Sequence, residues 1–85
     1  MDIYDEIKTE RQRQIGKWGA DESNEPFDHW YGVLSDYNGW ARRMARMGSL
    51  DKYRRRMVQI AAIAVAVVEA LDKATDGAFK PTKEV

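Results

Sequence analysis

The chain has 85 residues with a formal net charge of zero, and it contains no cysteine, which excludes disulfides and thiolate metal sites. This length predicts a single domain over residues 1–85 with a thin core, because a chain of this size buries only about 60–65% of its unfolded surface. Its first residues lack the basic and apolar segments of a secretory signal, which predicts a cytoplasmic protein.

The first predicted helix covers about residues 2–18 and is weakly amphipathic. Ile3, Ile7 and Trp18 outline its apolar stripe, and its middle is polar and rich in strong helix formers. The polar residues 19–26 that follow predict a loop.

The second predicted helix covers about residues 27–47. Its apolar stripe repeats at helical spacing and consists of Trp30, Leu34, Tyr37, Ala41 and Met44. Gly48 and Ser49 then break the chain before the next helix. A link this short predicts that the second and third helices form a long antiparallel hairpin.

The third predicted helix covers about residues 51–75 and is the most apolar part of the chain. Its main stripe follows steps of three and four and comprises Leu50, Tyr53, Met57, Ile60, Ala64, Val67 and Leu71. Ile63, Val65 and Val68 lie off this stripe, so the second half of the helix is apolar nearly all round and must be enclosed by protein. The rest of the chain is too short to cover it, which predicts a homo-oligomer.

These elements predict an all-α protein of three helices, with a tail over residues 78–85 that frays. The apolar run is too short and too interrupted for a membrane span, so no membrane partner is expected. Basic side chains cluster around the predicted hairpin turn, which suits either an anionic ligand or a solvated helix end. They are Arg42, Arg43, Arg46, Lys52, Arg54, Arg55 and Arg56.

Three blocks of sequence occur in the order known from one protein family. They are ERQRQIGKWGADE (10–22), DHWYGVL (28–34) and DKYRRRMVQIAAIAVAVVEALD (51–72). Together they resemble the short MazG-like proteins of phages and bacteria, which belong to the all-α nucleoside triphosphate pyrophosphohydrolases. The resemblance implies a helical oligomer that cleaves nucleotides between the α- and β-phosphates with magnesium, held by carboxylates on facing helices.

The positions that match the family's metal ligands have lost almost all of their carboxylates. They are occupied here by Asp36, Tyr37, Trp40, Arg56 and Gln59. Only Asp36 is acidic, and Arg56 cannot lose its proton, so it repels magnesium. The resemblance therefore implies the fold but argues against the family's reaction, with no catalytic residue, no metal and no other cofactor.

Two interpretations of these positions remain open. In one, they form a metal-free pocket in which Arg56 binds phosphate and Trp40 or Tyr37 stacks on a base or ribose. In the other, the former site is filled by aromatic core or faces a protein partner. The ligand-binding residues of the first interpretation are Asp36, Tyr37, Trp40, Arg43, Arg56 and Gln59.

Several functions follow from these interpretations. The first is an inactive MazG-like protein that sequesters a nucleotide or another phosphorylated small molecule, as a phage counter-defence protein in the host cytoplasm would. The second is a protein-interaction module that inhibits a host protein. A magnesium-dependent pyrophosphohydrolase with unrecognised acids ranks third, and nucleic-acid binding through residues 42–56 ranks last.

Overall fold

The computed structural model describes residues 2–18 and 27–73, and these residues form three α-helices and no strand. The helices are α1 (Ile3–Trp18), α2 (Phe27–Arg46) and α3 (Leu50–Lys73). The predicted all-α class with three helices is thereby confirmed. The predicted loop over residues 19–26 and the predicted frayed tail lie outside the described residues. No helix among the described residues is long and apolar enough to cross a membrane.

A three-residue turn over residues 47–49 joins α2 to α3. The backbone N–H of Ser49 donates to the carbonyl of Met44, and that of Gly48 donates to the carbonyl of Ala45, at 3.0 and 3.1 Å. This pair of bonds is a Schellman motif, and it satisfies carbonyls that the end of α2 would otherwise leave free. Gly48 has a φ of 75°, which glycine adopts without the steric cost that a Cβ would bring.

The apolar core lies between α2 and α3. Its buried members are Trp30, Tyr37, Ile63, Ala66 and Ala70, with half-buried Val33, Leu34, Ile60 and Val67 packed around them. Trp30 lies near the start of α2 and Ala70 near the end of α3, so the two helices run antiparallel. The small side chains on α3 leave room for the rings of α2.

The first helix packs against α3 through polar side chains. Asp2 caps its start, because Asp2 Oδ1 accepts a 2.8 Å hydrogen bond from the backbone N–H of Asp5. Arg11 and Gln14 are only 6% and 0% exposed, although both are polar. Gln14 Nε2 donates to the backbone carbonyl of Gln59 at 3.2 Å, which ties α1 to the middle of α3.

The helix α3 has one covered face and one uncovered face. The covered face consists of Gln59, Ala62, Ile63, Ala66 and Ala70, each at most 6% exposed. The stripe that the sequence singled out lies largely on the other side of the helix. Along it, Leu50, Tyr53, Met57, Ala64 and Leu71 are exposed. Among the described residues α3 therefore has an exposed apolar face, and the sequence did not show which face that would be.

Candidate functional site

Four of the six predicted ligand-binding residues come together where α2 faces the first half of α3. The guanidinium carbon of Arg56 lies 5.1 Å from the ring centroid of Trp40 and 6.0 Å from that of Tyr37. The two rings meet edge to face, with centroids 4.9 Å apart. Arg56 Nη1 donates to Gln59 Oε1 at 3.0 Å. We call these four residues the Arg56 cluster.

Exposure differs sharply within the Arg56 cluster. Tyr37 and Gln59 are 7% and 6% exposed, so they form its floor. Trp40 is 40% exposed and Arg56 is half-buried, so these two side chains form its accessible part. A guanidinium over an indole is a favourable cation–π pair, and it holds both groups in place.

The other two predicted residues, Asp36 and Arg43, are exposed and lie outside the Arg56 cluster. Asp36 precedes the buried Tyr37 by one residue, and one residue turns a helix by about 100°, so the two side chains leave α2 in different directions. Arg43 is one turn beyond Trp40 but stays exposed. Among the described residues, no hydrogen bond or ion pair joins either residue to Arg56.

The first helix contributes a neighbouring polar group that the sequence analysis did not identify. The side chain of Glu10 is 13% exposed and accepts hydrogen bonds from Arg13 Nη2 at 2.6 Å and Nε at 3.0 Å. Gln14 Nε2 also donates to Glu10, at 3.2 Å. The pKa of the Arg13 guanidinium is raised, mainly by its hydrogen bond to Glu10 and to a smaller extent by the Tyr37 hydroxyl. Arg13 therefore links α1 to the edge of the Arg56 cluster.

A signal for these buried polar residues is present in the sequence. The steps of three and four that connect Ile7 to Trp18 pass through Arg11 and Gln14. Two polar residues on the stripe of a helix that packs on a neighbour must be buried with polar partners. The sequence analysis described this part of the helix only as polar and predicted no burial for either residue.

The basic residues around the hairpin turn collect at one end of the molecule, and all except Arg56 are exposed. Arg54 forms a bidentate pair with Glu6 of α1, with N–O distances of 2.6 and 2.9 Å. This hydrogen bond is the main reason that the pKa of Glu6 is lowered and that of Arg54 raised. Arg54 therefore helps to position α1.

Two clefts lie where α1 crosses α3. The first, of about 330 Å³, includes the charged residues Glu6, Glu10, Asp51, Arg54 and Arg55. The second, of about 450 Å³, is mainly apolar, and its lining includes Tyr4, Ile7, Ala61, Val65 and Glu69. Neither of these two clefts includes Tyr37, Trp40 or Arg56, so the Arg56 cluster is separate from both of them.

The Arg56 cluster does not suit the magnesium that the resemblance implies. Its four residues carry no carboxylate and one permanent positive charge. Across residues 2–18 and 27–73, no three acidic or histidine side chains form a group that could hold a metal ion. What the Arg56 cluster does offer is a cation with N–H donors beside a partly exposed aromatic face.

The chain was compared with family models, curated proteins and solved structures, and it matches none of them.

Proposed function

We propose that the chain binds a phosphorylated small molecule, with a nucleotide as the first candidate, and sequesters it without cleavage and without metal. The proposed site is the Arg56 cluster. Arg56 contacts a phosphate group, and the exposed edge and face of Trp40 contact the base or ribose. This proposal keeps the nucleotide chemistry that the MazG-like resemblance implies and replaces the metal with a guanidinium.

The state of the Arg56 guanidinium is the observation that supports this proposal best. Only Nη1 is used, in the bond to Gln59, and the other N–H donors of Arg56 make no hydrogen bond among the described residues. A guanidinium presents five N–H donors in a fixed planar fork and binds phosphate through two of them at once. Arg56 is half-buried, so water screens such a contact less than it would on an open surface.

The neighbouring aromatic ring provides the second contact. Trp40 is held by Tyr37 on one side and by the guanidinium on another, yet 40% of it stays exposed. Stacking of a base on an aromatic side chain contributes about 1–3 kcal/mol in proteins that bind single nucleic-acid strands. A ring already held in one orientation loses little conformational entropy on binding.

Titration calorimetry with a panel of nucleoside mono-, di- and triphosphates and cyclic nucleotides tests the proposal. We expect Arg56→Ala to weaken binding by roughly 10- to 100-fold, because a charged hydrogen bond contributes about 1.5–3 kcal/mol. Arg42→Ala is the matched control, since it removes the same charge from an exposed position on α2 and should change the affinity little. A chelator should leave the affinity unchanged.

Recovery of the bound nucleotide separates sequestration from hydrolysis. We expect the nucleotide to be released intact after heat denaturation of the complex. Release of a monophosphate and pyrophosphate from a triphosphate would instead support the pyrophosphohydrolase alternative. No heat of binding with any nucleotide, together with loss of function in cells for Arg42→Ala, would support the host-protein alternative.

A further inference from the structure

The second cleft between α1 and α3 has the size and the lining of a small-molecule site. Its volume of about 450 Å³ lies within the range of about 300–1,000 Å³ that is usual for ligand pockets. Ile7, Ala61 and Val65 contribute to its mainly apolar walls, and Tyr4, which is 79% exposed, also lines it. We call it the Arg11 cleft, because Arg11 is part of the same lining.

Arg11 adds a buried cation to these apolar walls. Its side chain is 8% exposed, and its Nε donates to Glu69 Oε1 at 2.9 Å. Its Nη1 is enclosed by protein and makes no hydrogen bond within the part of the chain that the structure describes. An unpartnered buried N–H group raises the free energy of the folded chain, and more so when the group is charged. An oxygen acceptor beside Nη1 would therefore be stabilising.

The charges on the lining of the Arg11 cleft favour an anion. Lys8 and Arg11 are positive and Glu69 is negative, so the lining has an excess of one positive charge. The side chain of Glu69 is 49% exposed, so water screens its charge more than that of the buried Arg11. A carboxylate that accepts from the guanidinium would form a charge-assisted hydrogen bond, which is stronger than a neutral one.

Apolar walls and a buried cation together select one class of ligand. An inorganic anion would pair with Nη1 but leave the apolar walls in water, and a neutral hydrocarbon would cover the walls but leave Nη1 unpaired. A small carboxylic acid with a hydrocarbon body satisfies both. A glutamate side chain of a protein partner would cover little of the walls, because its apolar stem is short.

We infer that the Arg11 cleft binds a small amphipathic carboxylate, with its carboxylate on Nη1 of Arg11 and its hydrocarbon body between Ile7 and Val65. Nη1 is enclosed in the free chain, so the carboxylate reaches it only after a side chain of the lining moves. Exposed side chains such as Tyr4 change rotamer within nanoseconds, so this movement is fast. The Arg11 cleft is separate from the Arg56 cluster, and the inference does not depend on the proposed function.

Two matched probes test the role of the buried cation. Octanoate and octanol share one kind of hydrocarbon body and differ in the head group, and NMR titration of the backbone amides of the full chain measures the affinity for each. We expect octanoate to bind more tightly than octanol. Arg11→Met keeps an apolar side chain of similar length, and it should weaken octanoate by about 10-fold or more and change octanol little. No binding of octanoate, or an equal change for both probes, would refute the inference.

A large side chain in the Arg11 cleft tests where the probe binds. Val65 lines the cleft and is 39% exposed, so Val65→Trp should fill the cleft, leave the helices intact by circular dichroism and weaken octanoate several-fold. Val68→Trp is the matched control, since Val68 is 55% exposed on the same helix and is not part of this lining. Equal effects of the two variants would place octanoate on the exposed apolar face of α3 and would overturn the inference.

Discussion

The helix α3 contacts α2 and α1 through different kinds of interaction. The contact with α2 is apolar and built from aromatic rings over small side chains, with Ile63 fully buried at its centre. The contact with α1 relies on specific hydrogen bonds, beside the mainly apolar second cleft. Its members are the Gln14–Gln59, Arg11–Glu69 and Glu6–Arg54 contacts. Burial of apolar side chains thus holds α2 against α3, and directional polar pairs orient α1.

This difference predicts where the fold is strong and where it opens first. Apolar burial is non-directional and contributes about 25 cal/mol per Å², so the hairpin of α2 and α3 carries most of the stability. Hydrogen bonds contribute only about 0.5–1.5 kcal/mol each but require defined geometry. We therefore expect α1 to be oriented precisely by its polar pairs and to detach at a lower free-energy cost than the hairpin.

Truncation of Ile63 is expected to give the largest loss of stability. Ile63 is fully buried in the α2–α3 core, and Ile63→Ala leaves a cavity, so the expected cost is about 2–5 kcal/mol. Urea denaturation at one fixed protein concentration measures it, because assembly contributes to apparent stability. Ile3→Ala is the matched control, since Ile3 is 52% exposed, and it should cost about 0.5 kcal/mol or less. Equal losses in the two variants would mean that the core is not centred between α2 and α3.

The sequence predicted the hairpin well for reasons that are clear in the structure. The stripe of α2 contains Trp30, Tyr37 and Ala41, and all three are buried. On that helix one face is apolar and the other polar, so the period alone selects the buried side. The break at Gly48 and Ser49 is also readable, because the Schellman motif requires a residue with positive φ.

The period could not select the buried face of α3, because its second half is apolar on nearly every side. The choice depends on fit: Ala66 and Ala70 are small enough to pack against Trp30 and Tyr37 of α2. The larger residues Met57 and Leu71 stay outside. Which face is buried therefore depends on how its side chains fit those of the opposing helix, with Ile63 buried and Ala64 exposed, and a pattern within one helix does not contain that information.

The candidate site was predictable only in part for a similar reason. Tyr37, Trp40, Arg56 and Gln59 were grouped through a resemblance that pairs α2 with α3, and the structure brings these four together. The contribution of α1 depends on how that helix crosses α3. This crossing is set by long-range hydrogen bonds such as Gln14 to Gln59, which local spacing does not reveal.

Substitution of Gln14 tests the polar contact between α1 and α3. This side chain is fully buried and donates to both Glu10 and the Gln59 carbonyl, so Gln14→Ala should cost about 1–3 kcal/mol. Gln12→Ala is the control on the same helix, because Gln12 is exposed. Hydrogen exchange should show faster exchange of the α1 amides in Gln14→Ala and little change in the α2–α3 core. Uniform acceleration across the chain would mean that α1 and the hairpin unfold as one unit.

The pair of Arg11 and Glu69 should respond asymmetrically to substitution. The side chain of Arg11 is 8% exposed and its Nε lies 2.9 Å from Glu69 Oε1, while its Nη1 has no hydrogen-bond partner within the described part of the chain. Glu69→Gln leaves this buried cation without its counter-charge and should cost about 1 kcal/mol, a value reduced by the 49% exposure of Glu69.

Arg11→Met removes the buried charge itself and leaves Glu69 free to be hydrated. Replacement of a buried charge by an apolar side chain of similar length is often neutral or stabilising, so we expect no loss of stability. Both variants are compared by urea denaturation in one buffer. A larger loss for Arg11→Met than for Glu69→Gln would show that packing of the arginine stem, and not its charge, dominates at this position.

The smallest expected effect concerns the exposed pair of Glu6 and Arg54. The hydrogen bond from Arg54 lowers the pKa of Glu6 in the folded chain, so the ionised form is favoured by folding. The stabilisation is therefore present above the ordinary glutamate pKa of about 4.3 and is lost as the pH falls through the lowered value. Because both groups are exposed, the effect should be small and should shrink further as salt is added.

A double-mutant cycle with Glu6→Gln and Arg54→Met isolates this pair, measured as melting temperature between about pH 7 and pH 3. All variants are measured at one fixed protein concentration, because assembly contributes to apparent stability. We expect the wild-type pair to lose more stability on acidification than either single variant, and the double variant to match the singles. If Glu6→Gln leaves the fall of the melting temperature at low pH unchanged, the pair does not help to hold α1. The contact between α1 and α3 then depends on Gln14 and Arg11.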